Sequence, residues 1–390
     1  MRRAHPGEVG TLTVPTVHGS HDPAFEPVVE AFGNNFIEHG EIGASVQVTV
    51  DSRVVVDLWA GYSDPAGTRQ WQKDTLVNAF SVGKGVTALV AAMCVDRGYF
   101  SYEDPVVAHW PEFGAHDKDR VTVRDLLGHR AGLPAVRRRL PEGAMLDWHA
   151  MVGALADERP WWEPGTAHGY HVNTFGFLIG EVIRRTTGSS IGTLLHAWVS
   201  GPHGIDIHLG CPDELHSRMA DFEWPPMELP TSEPPGLDEA QLLQLNTYYN
   251  PSGLSGGGVV NDAAWRRAEI PSTNMHATAE GVSRLYTRLA RDVPSLLATS
   301  VLTESLLDVS HGHDMVLGRN SRFGAGWQIP IPERGFGPNP ESFGHYGAGG
   351  SLGFADPVAG VGFGYVMNQM GPRWQNPRNR ALVDALYACL

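Results

Sequence analysis

A serine and a lysine three residues apart begin the most apolar helical stretch of the chain. Ser81 follows the short run 78–80, and Lys84 precedes about a dozen apolar or small residues that end at Gly98. Residues at this spacing lie on one face of a helix. Burial lowers the pKa of a lysine, and a neutral lysine can accept the proton of a serine hydroxyl. Ser81 and Lys84 are therefore a candidate nucleophile and base.

The start of this helix offers a second catalytic element. The backbone N–H of Ser81 would lie at the positive end of the helix dipole, where it could stabilise an oxyanion. The alternative interpretation is an N-cap serine and a solvated lysine, which is the commoner use of these residue types. A charge in the first turn of so apolar a helix favours the catalytic interpretation.

Two later segments carry groups that could complete the chemistry. Tyr170 lies in a glycine-flanked loop before a helix, where a phenol near a lysine could move protons to and from the serine. The segment 343–354 is rich in glycine, which would let a substrate approach the backbone. By residue type alone, half-buried packing is the more common role for Tyr170, and the glycine segment could be a hinge.

The elements that must position these groups follow a simple order along the chain. Strand patterns occur near both ends, and helical patterns fill the middle. The predicted strands are 45–50 and 54–59, which form a hairpin, and 326–330 and 362–368. The predicted helices begin near Asp22, Ser81, Thr122, Asp147, Thr174, residue 189, Thr278 and Arg378.

This order predicts an α/β (α+β) fold with a ligand cleft between two parts. Residues 1–75 and 275–390 would form an α/β domain built from both ends of the chain, and 76–274 a mainly helical domain inserted between them. Within the insertion, the Pro/Gly-rich region 201–262 is predicted to be a long loop. Residues 1–20 are predicted to be a loose arm.

Composition excludes several classes of partner. The 390 residues carry a formal net charge of −14, which disfavours nucleic acid and anionic membranes as partners. The chain has no run of 18 apolar residues, and no apolar segment follows Arg2-Arg3, so we expect a soluble cytoplasmic protein. The odd cysteine count, 3, argues against a disulfide framework.

Other motifs are weaker candidates. Ser255 and Ser351 both lie in Gly-x-Ser-x-Gly, the nucleophile elbow of α/β-hydrolases, but neither has a strand before it and a long helix after it. Both are therefore predicted to be turns. The densest histidine cluster, 311–314, lacks a third ligand at a metal-binding spacing. We expect no metal and no cofactor.

Three motifs in order resemble one known superfamily. They are Ser81-Val82-Gly83-Lys84, Tyr170-His171-Val172 and His345-Tyr346-Gly347, supported by the stretch 121–134 and by Pro164-Gly165-Thr166. Together they resemble the serine β-lactamases and penicillin-binding proteins. Within that superfamily, the chain is most similar to the class C β-lactamase-like carboxylesterases, the family VIII esterases. The resemblance spans about residues 40–370.

The resemblance implies a fold and a set of roles. The fold would be β-lactamase/transpeptidase-like, an antiparallel sheet flanked by helices plus an all-helical domain. Ser81 would be the acylated nucleophile, Lys84 its base and Tyr170 a second acid/base. The oxyanion hole would be the N–H groups of Ser81 and Ala348. The substrate-binding candidates are His345, Gly347, Asn173 and Trp161.

Departures from the family pattern narrow the expected substrate. Val172 replaces the usual asparagine of the second motif, although Asn173 is adjacent, and His345 replaces the lysine of the third. Because a neutral histidine holds an anion less firmly than lysine, these changes favour esters over β-lactams. The Trp161-Trp162 pair and the Pro/Gly-rich region could line an apolar acyl pocket.

The predicted function is therefore a serine hydrolase of short-chain carboxylic esters that acts through an acyl-enzyme, with a small-molecule substrate. Two alternatives use the same residues: an acyltransferase, and an amidase, D-peptidase or weak β-lactamase. A third alternative is a non-catalytic binding protein on the same scaffold. The sequence does not specify the oligomeric state.

Overall fold

The computed structural model describes residues 15–225, 236–291 and 296–390. The strands in these ranges are β1 (His18–His21), β2 (Gly43–Val50), β3 (Arg53–Gly61), β4 (Val77–Phe80), β5 (Ile207–His208), β6 (Met275–Ala277), β7 (Ser310–Asp314), β8 (Arg319–Phe323), β9 (Phe343–Tyr346), β10 (Leu352–Asp356) and β11 (Val361–Met367). The α-helices are α1 (Glu26–Glu38), α2 (Val82–Asp96), α3 (Val123–Leu127), α4 (Trp148–Asp157), α5 (Phe175–Thr187), α6 (Ile191–Leu195), α7 (Gly201–His203), α8 (Glu239–Tyr249), α9 (Ala263–Arg267), α10 (Ala279–Ala290), α11 (Thr299–Ser305) and α12 (Pro377–Ala388).

The main sheet has six antiparallel strands in the order β1-β3-β2-β11-β10-β9. Its central pair joins distant parts of the chain, since Ala44 of β2 lies opposite Met367 of β11. The β2–β3 hairpin turns at Asp51 and Ser52, which both have positive φ, 47° and 66°. Two such residues match the right-handed twist of a hairpin. The hairpin predicted from residues 45–50 and 54–59 is confirmed.

Helix α10 packs on β10 and β11 at close range. A Cβ added to Gly364 of β11 would lie 2.4 Å from the carbonyl oxygen of Ala279, so only glycine allows the helix to approach there. Helix α1 packs against β3 and α12. The sheet is thus flanked by helices, as predicted.

Helix α2 lies in the centre of the molecule, where Val82 to Cys94 are all buried. It follows β4 directly, and β4 belongs to a small sheet in the order β4-β6-β5. One continuous apolar core runs from the main sheet through α2 to the helices α4 and α5. Because this core spans both predicted parts, the division into 1–75 plus 275–390 and 76–274 stays a prediction.

Several helix boundaries were specified by local sequence. Thr122 caps α3 in a capping box with Asp125, and Asp147 accepts a hydrogen bond from the N–H of Ala150 at the start of α4. Helix α5 ends at Gly188, which has the left-handed conformation, with φ 73°. The helix predicted to begin near Thr278 is confirmed, and the Thr278 side chain caps it by accepting a hydrogen bond from the N–H of Gly281.

Three predictions of local structure were wrong. The region 201–262 is not one long loop, because it contains α8, which begins with a capping box between Asp238 and Gln241. Residues 326–330 form no strand, since Gln328 alone pairs with neighbouring backbone, at Phe323 and Gly344. The regular strand pairing in this part of the chain is instead that of the hairpin β7–β8. Of the predicted arm, residues 18–21 pair with β3 as an edge strand, and 1–14 lie outside the described residues.

Among the described residues, none of the helices is both long and apolar enough to cross a bilayer.

Candidate active site

Ser81 lies at the junction between β4 and α2, as the N-cap residue of the helix. The preceding residue, Phe80, has φ 49°, which is uncommon for a residue with a bulky side chain. In this tight turn Ser81 is the single residue between the end of β4 at Phe80 and the start of α2 at Val82. Ser81 keeps a small exposure, 7 % of the residue, whereas Lys84 and Tyr170 are fully buried. Ser81 is therefore the one of the three that a ligand can reach.

The amine of Lys84 lies beside the hydroxyl of Ser81. Lys84 Nζ is 3.2 Å from Ser81 Oγ, and it donates hydrogen bonds to the carbonyl oxygens of Val172 (2.6 Å) and Ser272 (3.0 Å). No carboxylate of the described residues forms an ion pair with it. Burial lowers the pKa of Lys84 well below its usual value. A neutral amine has two N–H donors, which the two carbonyls occupy, and a lone pair that is left for the serine proton.

Tyr170 lies on the other side of this amine. Lys84 Nζ is 4.7 Å from the centre of the Tyr170 ring. Burial raises the pKa of Tyr170 well above its usual value, and the nearby Ser81 side chain opposes part of that rise. Tyr170 is therefore a neutral phenol, which can donate a proton but cannot serve as a resting base. The structure brings Ser81, Lys84 and Tyr170 together.

Asp314 holds the backbone of Tyr170 in place. Its Oδ1 accepts a hydrogen bond from the Tyr170 N–H (3.0 Å), and also from the N–H groups of Val316 (3.0 Å) and Leu317 (2.9 Å). Its Oδ2 accepts from the hydroxyl of Ser321 (2.8 Å). The carboxylate is fully buried. The hairpin β7–β8 thus fixes the loop that carries the phenol.

Aromatic side chains surround the Tyr170 ring. Ring centres lie 5.0 Å away for His129, 5.8 Å for Phe323, 5.9 Å for His345 and 4.8 Å for Trp374. Such contacts fix a ring and exclude water from it. They are a direct cause of the burial that shifts the pKa of Tyr170.

His345 lies next to the catalytic candidates but is neutral. Its Nδ1 is 2.7 Å from the carbonyl oxygen of Tyr346, to which it can only donate, so the proton is on Nδ1 and Nε2 is an acceptor. Burial and the nearby Lys84 lower the pKa of His345 to about 3. The role of His345 in substrate binding stays a prediction. The free ring nitrogen, Nε2, would offer a substrate a lone pair rather than a positive charge.

The turn 347–351 contacts the strand that precedes Ser81. The hydroxyl of Ser351 donates to the carbonyl oxygen of Ala79 (2.8 Å), and the Gly347 N–H donates to the carbonyl oxygen of Ser351 (2.7 Å). Ala348 follows, half-buried, in this turn. The predicted second oxyanion donor therefore lies on a turn that is tied to the backbone two residues before the nucleophile.

Gly347→Ala is expected to disrupt this attachment. The new Cβ would lie 2.1 Å from Ser351 Oγ and 2.3 Å from the carbonyl oxygen of Ala79, so the turn must move away from β4. We expect kcat/KM to fall at least about 10-fold and the free energy of unfolding to fall by about 1–3 kcal/mol. Ester hydrolysis and urea unfolding measure the two effects. Gly153→Ala is the control, since Gly153 is an exposed residue inside helix α4 and nothing lies within 4 Å of a Cβ added there. Unchanged kinetics in Gly347→Ala would contradict the expectation.

The other two substrate-binding candidates lie in different surroundings. Asn173 is buried, and its side-chain atoms bond to the Thr247 carbonyl, the Ser255 hydroxyl and the Thr273 hydroxyl. Trp161 donates to the carbonyl oxygen of Ala135 and belongs to a separate small apolar cluster with Leu243 and Val316. Both assignments stay predictions, and these contacts give each residue a structural role.

The competing motifs have structural roles as well. Ser351 is fully buried and bonds to Ala79, and Ser255 lies in a turn and donates to the carbonyl oxygen of Tyr248. Neither lies between a strand and a long helix. In the part of the chain that the structure describes, no group of three or more His, Cys, Asp or Glu side chains could hold a metal ion.

Sequence reasoning missed three contributors to the site. The backbone carbonyl oxygen of Ser272 accepts a hydrogen bond from Lys84. A backbone acceptor of this kind cannot be recognised from the residue types in the sequence. Asp314 was considered only with its neighbouring histidines as a metal ligand. Trp374 lies in a loop with Gly371, Pro372 and Pro377, far from any motif. A large aromatic residue in such a loop was the one feature of the sequence that could have indicated a role at the site.

Comparison with known proteins decides the family. The profile of the Beta-lactamase family matches residues 23–388. The chain belongs to the beta-lactamase family. It is 32 % identical over 369 residues to the Mycobacterium tuberculosis esterase/beta-lactamase LipL, covering 91 % of this chain and 83 % of that protein.

Two solved structures in this beta-lactamase group share the fold. A family VIII carboxylesterase superposes with a TM-score of 0.87 at 35 % identity, covering 96 % of this chain and all of the other. A penicillin-binding protein homolog from Caulobacter crescentus gives a TM-score of 0.87 at 37 % identity with the same coverage. The predicted β-lactamase/transpeptidase-like fold and the predicted superfamily are confirmed. The protein is a hydrolase of the esterase/beta-lactamase fold.

Proposed function

We propose that the protein hydrolyses carboxylic esters of small molecules through an acyl-enzyme on Ser81. The observation that carries this proposal is the buried Lys84 amine, 3.2 Å from Ser81 Oγ, whose two remaining contacts are backbone carbonyls. Such an amine loses its proton more readily than a solvated lysine, and in its neutral form it can accept the serine proton without help from a histidine or a carboxylate. The esterase relatives in the family support an ester as the substrate.

In acylation, Lys84 takes the proton of Ser81 as Oγ attacks the ester carbonyl. The N–H groups of Ser81 and Ala348 would stabilise the resulting oxyanion. Tyr170, a neutral phenol, then protonates the leaving alcohol, and the protonated Lys84, which lies over the Tyr170 ring, returns a proton to the phenol as the site resets. The C–O bond to the alcohol breaks, and the acyl group remains on Ser81.

In deacylation, water replaces the alcohol and the same groups act in reverse. The base removes a proton from the water, which attacks the acyl carbon, and the Ser81 oxygen leaves with a proton. The neutral His345 adds no positive charge to this step. Because the histidine at this position offers no positive charge to a carboxylate next to the acyl carbon, neutral acyl groups such as those of short-chain acids are favoured.

The test is labelling by a p-nitrophenyl phosphonate followed by intact-mass and peptide analysis. We expect one adduct per chain, on Ser81, and none in Ser81→Ala. Ser255→Ala is the matched control, since it removes a serine of the competing motif and should still be labelled. An adduct on Ser255 or Ser351, or no adduct with no ester turnover, would overturn the proposal in favour of another nucleophile or a non-catalytic protein.

The pH dependence of turnover follows from the two shifted pKa values. Below the lowered pKa of Lys84 the amine is protonated and cannot act as a base, so kcat/KM should rise with pH through that pKa and then level off. Because the pKa of Tyr170 is raised, no decline from its ionisation is expected up to about pH 10. Rates with p-nitrophenyl butyrate between about pH 5 and about pH 10 measure this profile. A rise centred near pH 10.4, the value of a solvated lysine, would contradict it.

A further inference from the structure

His129 is a fully buried histidine that has no role in the proposed chemistry. The centre of its ring lies 5.0 Å from that of Tyr170 and 4.6 Å from that of Phe323. It follows α3 after one residue and has the left-handed backbone conformation, with φ 61°. A residue other than glycine is uncommon in this conformation, and a buried imidazole is costly unless its nitrogens are used. Both features indicate a side chain that is held in place for a specific contact.

His129 binds the loop of Tyr170 on both sides of the tyrosine. The carbonyl oxygen of His129 accepts a hydrogen bond from the N–H of Gly169 (3.1 Å), and its Nδ1 accepts one from the N–H of His171 (3.2 Å). A ring nitrogen that accepts from an N–H carries no proton, so the proton of His129 is on Nε2. Burial lowers the pKa of His129 well below its usual value. The ring therefore stays neutral and keeps its acceptor for the loop.

His171 is fixed in the same way. Its Nδ1 donates to the carbonyl oxygen of Gly169 (2.6 Å), and its Nε2 accepts from the N–H of Leu133 (3.0 Å). Burial lowers the pKa of His171 to about 3. Because both nitrogens of this neutral ring have partners, His171 cannot turn to another orientation without losing a hydrogen bond. The contact between His171 and His129 is thus one between two rigid groups.

The hydroxyl of Tyr170 depends on this loop for its position. Its oxygen has no hydrogen-bond partner among the side chains and backbone that the structure describes, so only the loop and the packing of the ring hold it. Asp314 binds the N–H of Tyr170 itself, and His129 binds the N–H groups of the residues before and after it. All three consecutive N–H groups of 169–171 therefore have fixed acceptors, and His129 provides two of them.

The other ring nitrogen of His129 shows why packing alone does not explain this residue. Its Nε2–H is buried and has no hydrogen-bond partner in the described part of the chain. A buried donor without a partner costs free energy, and an apolar side chain of similar size would fill the space without that cost. Nδ1 is the group that such a side chain would lack. The acceptor for the His171 N–H is thus the feature that distinguishes histidine from an apolar residue here.

We propose that His129 is a positioning residue for Tyr170, which holds the loop 169–171 so that the phenol can protonate the leaving alcohol. The proposal rests on the proposed function, in which the phenol proton moves to the alcohol oxygen as the C–O bond breaks. It deepens that function because it specifies which esters depend on the loop. An alkyl alcohol is a poor leaving group that needs this proton, whereas p-nitrophenol leaves readily as its anion.

The test compares ethyl butyrate with p-nitrophenyl butyrate, which have the same acyl group. We expect His129→Leu to lower kcat/KM at least about 10-fold more for the ethyl ester than for the p-nitrophenyl ester. His129→Asn should retain most of the wild-type ratio, because asparagine is close to leucine in shape but has an oxygen acceptor near the position of Nδ1. If His129→Leu does not fold, His129→Gln replaces it, since its amide extends to the position of Nε2 instead.

A double-mutant cycle shows whether His129 acts through the phenol. Tyr170→Phe removes the proton donor, so adding His129→Leu to it should not change the ratio of the two esters further. Equal losses for the two esters in His129→Leu would show a general structural role and overturn the proposal. Equal ratios in the leucine and asparagine variants, or an additive effect with Tyr170→Phe, would overturn it as well.

Hydrogen exchange separates this proposal from the proposed function. In Ser81→Ala, the amide hydrogens of 169–171 should exchange at least about 10-fold faster with His129→Leu than with His129→Asn. This measurement needs no turnover, so it can be made even if Ser81 is not the nucleophile. Equal exchange in the two variants would overturn the positioning role and leave the hydrolase proposal intact. Absence of Ser81-dependent turnover of either ester would instead overturn the proposed function.

Discussion

Lys84→Met is expected to lower kcat/KM for a neutral ester by about 10⁴-fold, the upper range for loss of a general base. Methionine has a similar length and no charge, so the apolar surroundings are kept while the proton acceptor is lost. The serine hydroxyl then has no base within hydrogen-bonding distance among the described side chains, because Tyr170 is a protonated phenol. Single-turnover hydrolysis of p-nitrophenyl acetate measures the acylation step directly.

The chain offers a matched control for this substitution. Lys118 is also a fully buried lysine whose amine donates to two backbone carbonyls, those of Ala156 (3.0 Å) and Glu158 (2.6 Å). Lys118→Met also leaves two backbone carbonyls unpaired, which should lower the free energy of unfolding by about 1–3 kcal/mol for each carbonyl. Lys118, however, contacts none of the catalytic candidates. We expect it to lose stability and to keep kcat. Equal losses of activity in the two variants would show that Lys84 acts only through folding.

Arg378→Ala is expected to lower the free energy of unfolding by about 3–5 kcal/mol, as is usual when one partner of a buried ion pair is removed. Arg378 Nη1 lies 2.7 Å from Glu41 Oε1, and both side chains are almost fully buried. Tyr365 donates to the other oxygen of Glu41. Without Arg378, the buried carboxyl of Glu41, whose pKa burial already raises, has one donor left.

The same guanidinium also supports the site. Arg378 Nη2 donates to the carbonyl oxygens of Gly349 and Gln369, both at 2.9 Å, and so ties α12 to the turn that carries Ala348. We expect Arg378→Ala to reduce kcat as well. Arg380→Ala on the same helix is the control, because Arg380 is exposed and its loss should change stability by less than about 0.5 kcal/mol. Urea unfolding compares them, and similar midpoints would contradict the expectation.

The sequence was informative wherever structure depends on neighbours along the chain. The hairpin β2–β3 has a period of two, and the helix that begins at Thr122 has both members of its capping box within four residues. Helix α2 was visible because almost every residue in it is apolar or small. The three catalytic candidates were found by their types and by the resemblance to a known superfamily.

Contacts between residues that are far apart in the chain could not be predicted from the sequence. Helix α8 was missed because its apolar residues show no clear helical periodicity and only Leu243, Asn246 and Thr247 are buried. The pattern around Gln328 predicted a strand, but only Gln328 itself pairs, with Phe323 and with Gly344. Whether its neighbours pair as well depends on tertiary structure that the local pattern does not encode. The positions of Asp314 and Trp374 against Tyr170 depend on tertiary packing that no local pattern encodes.

The pairing of β2 with β11 has a consequence for how this enzyme is made. Residues 43–50 leave the ribosome more than 300 positions before their partner, residues 361–367, has been synthesised. Until then one edge of β2 presents unpaired backbone groups to other chains. Contacts of such long sequence separation also form slowly. The nascent protein should therefore depend on chaperones while it is translated, and its yield in a foreign host should rise at lower temperature, when synthesis and aggregation are both slower.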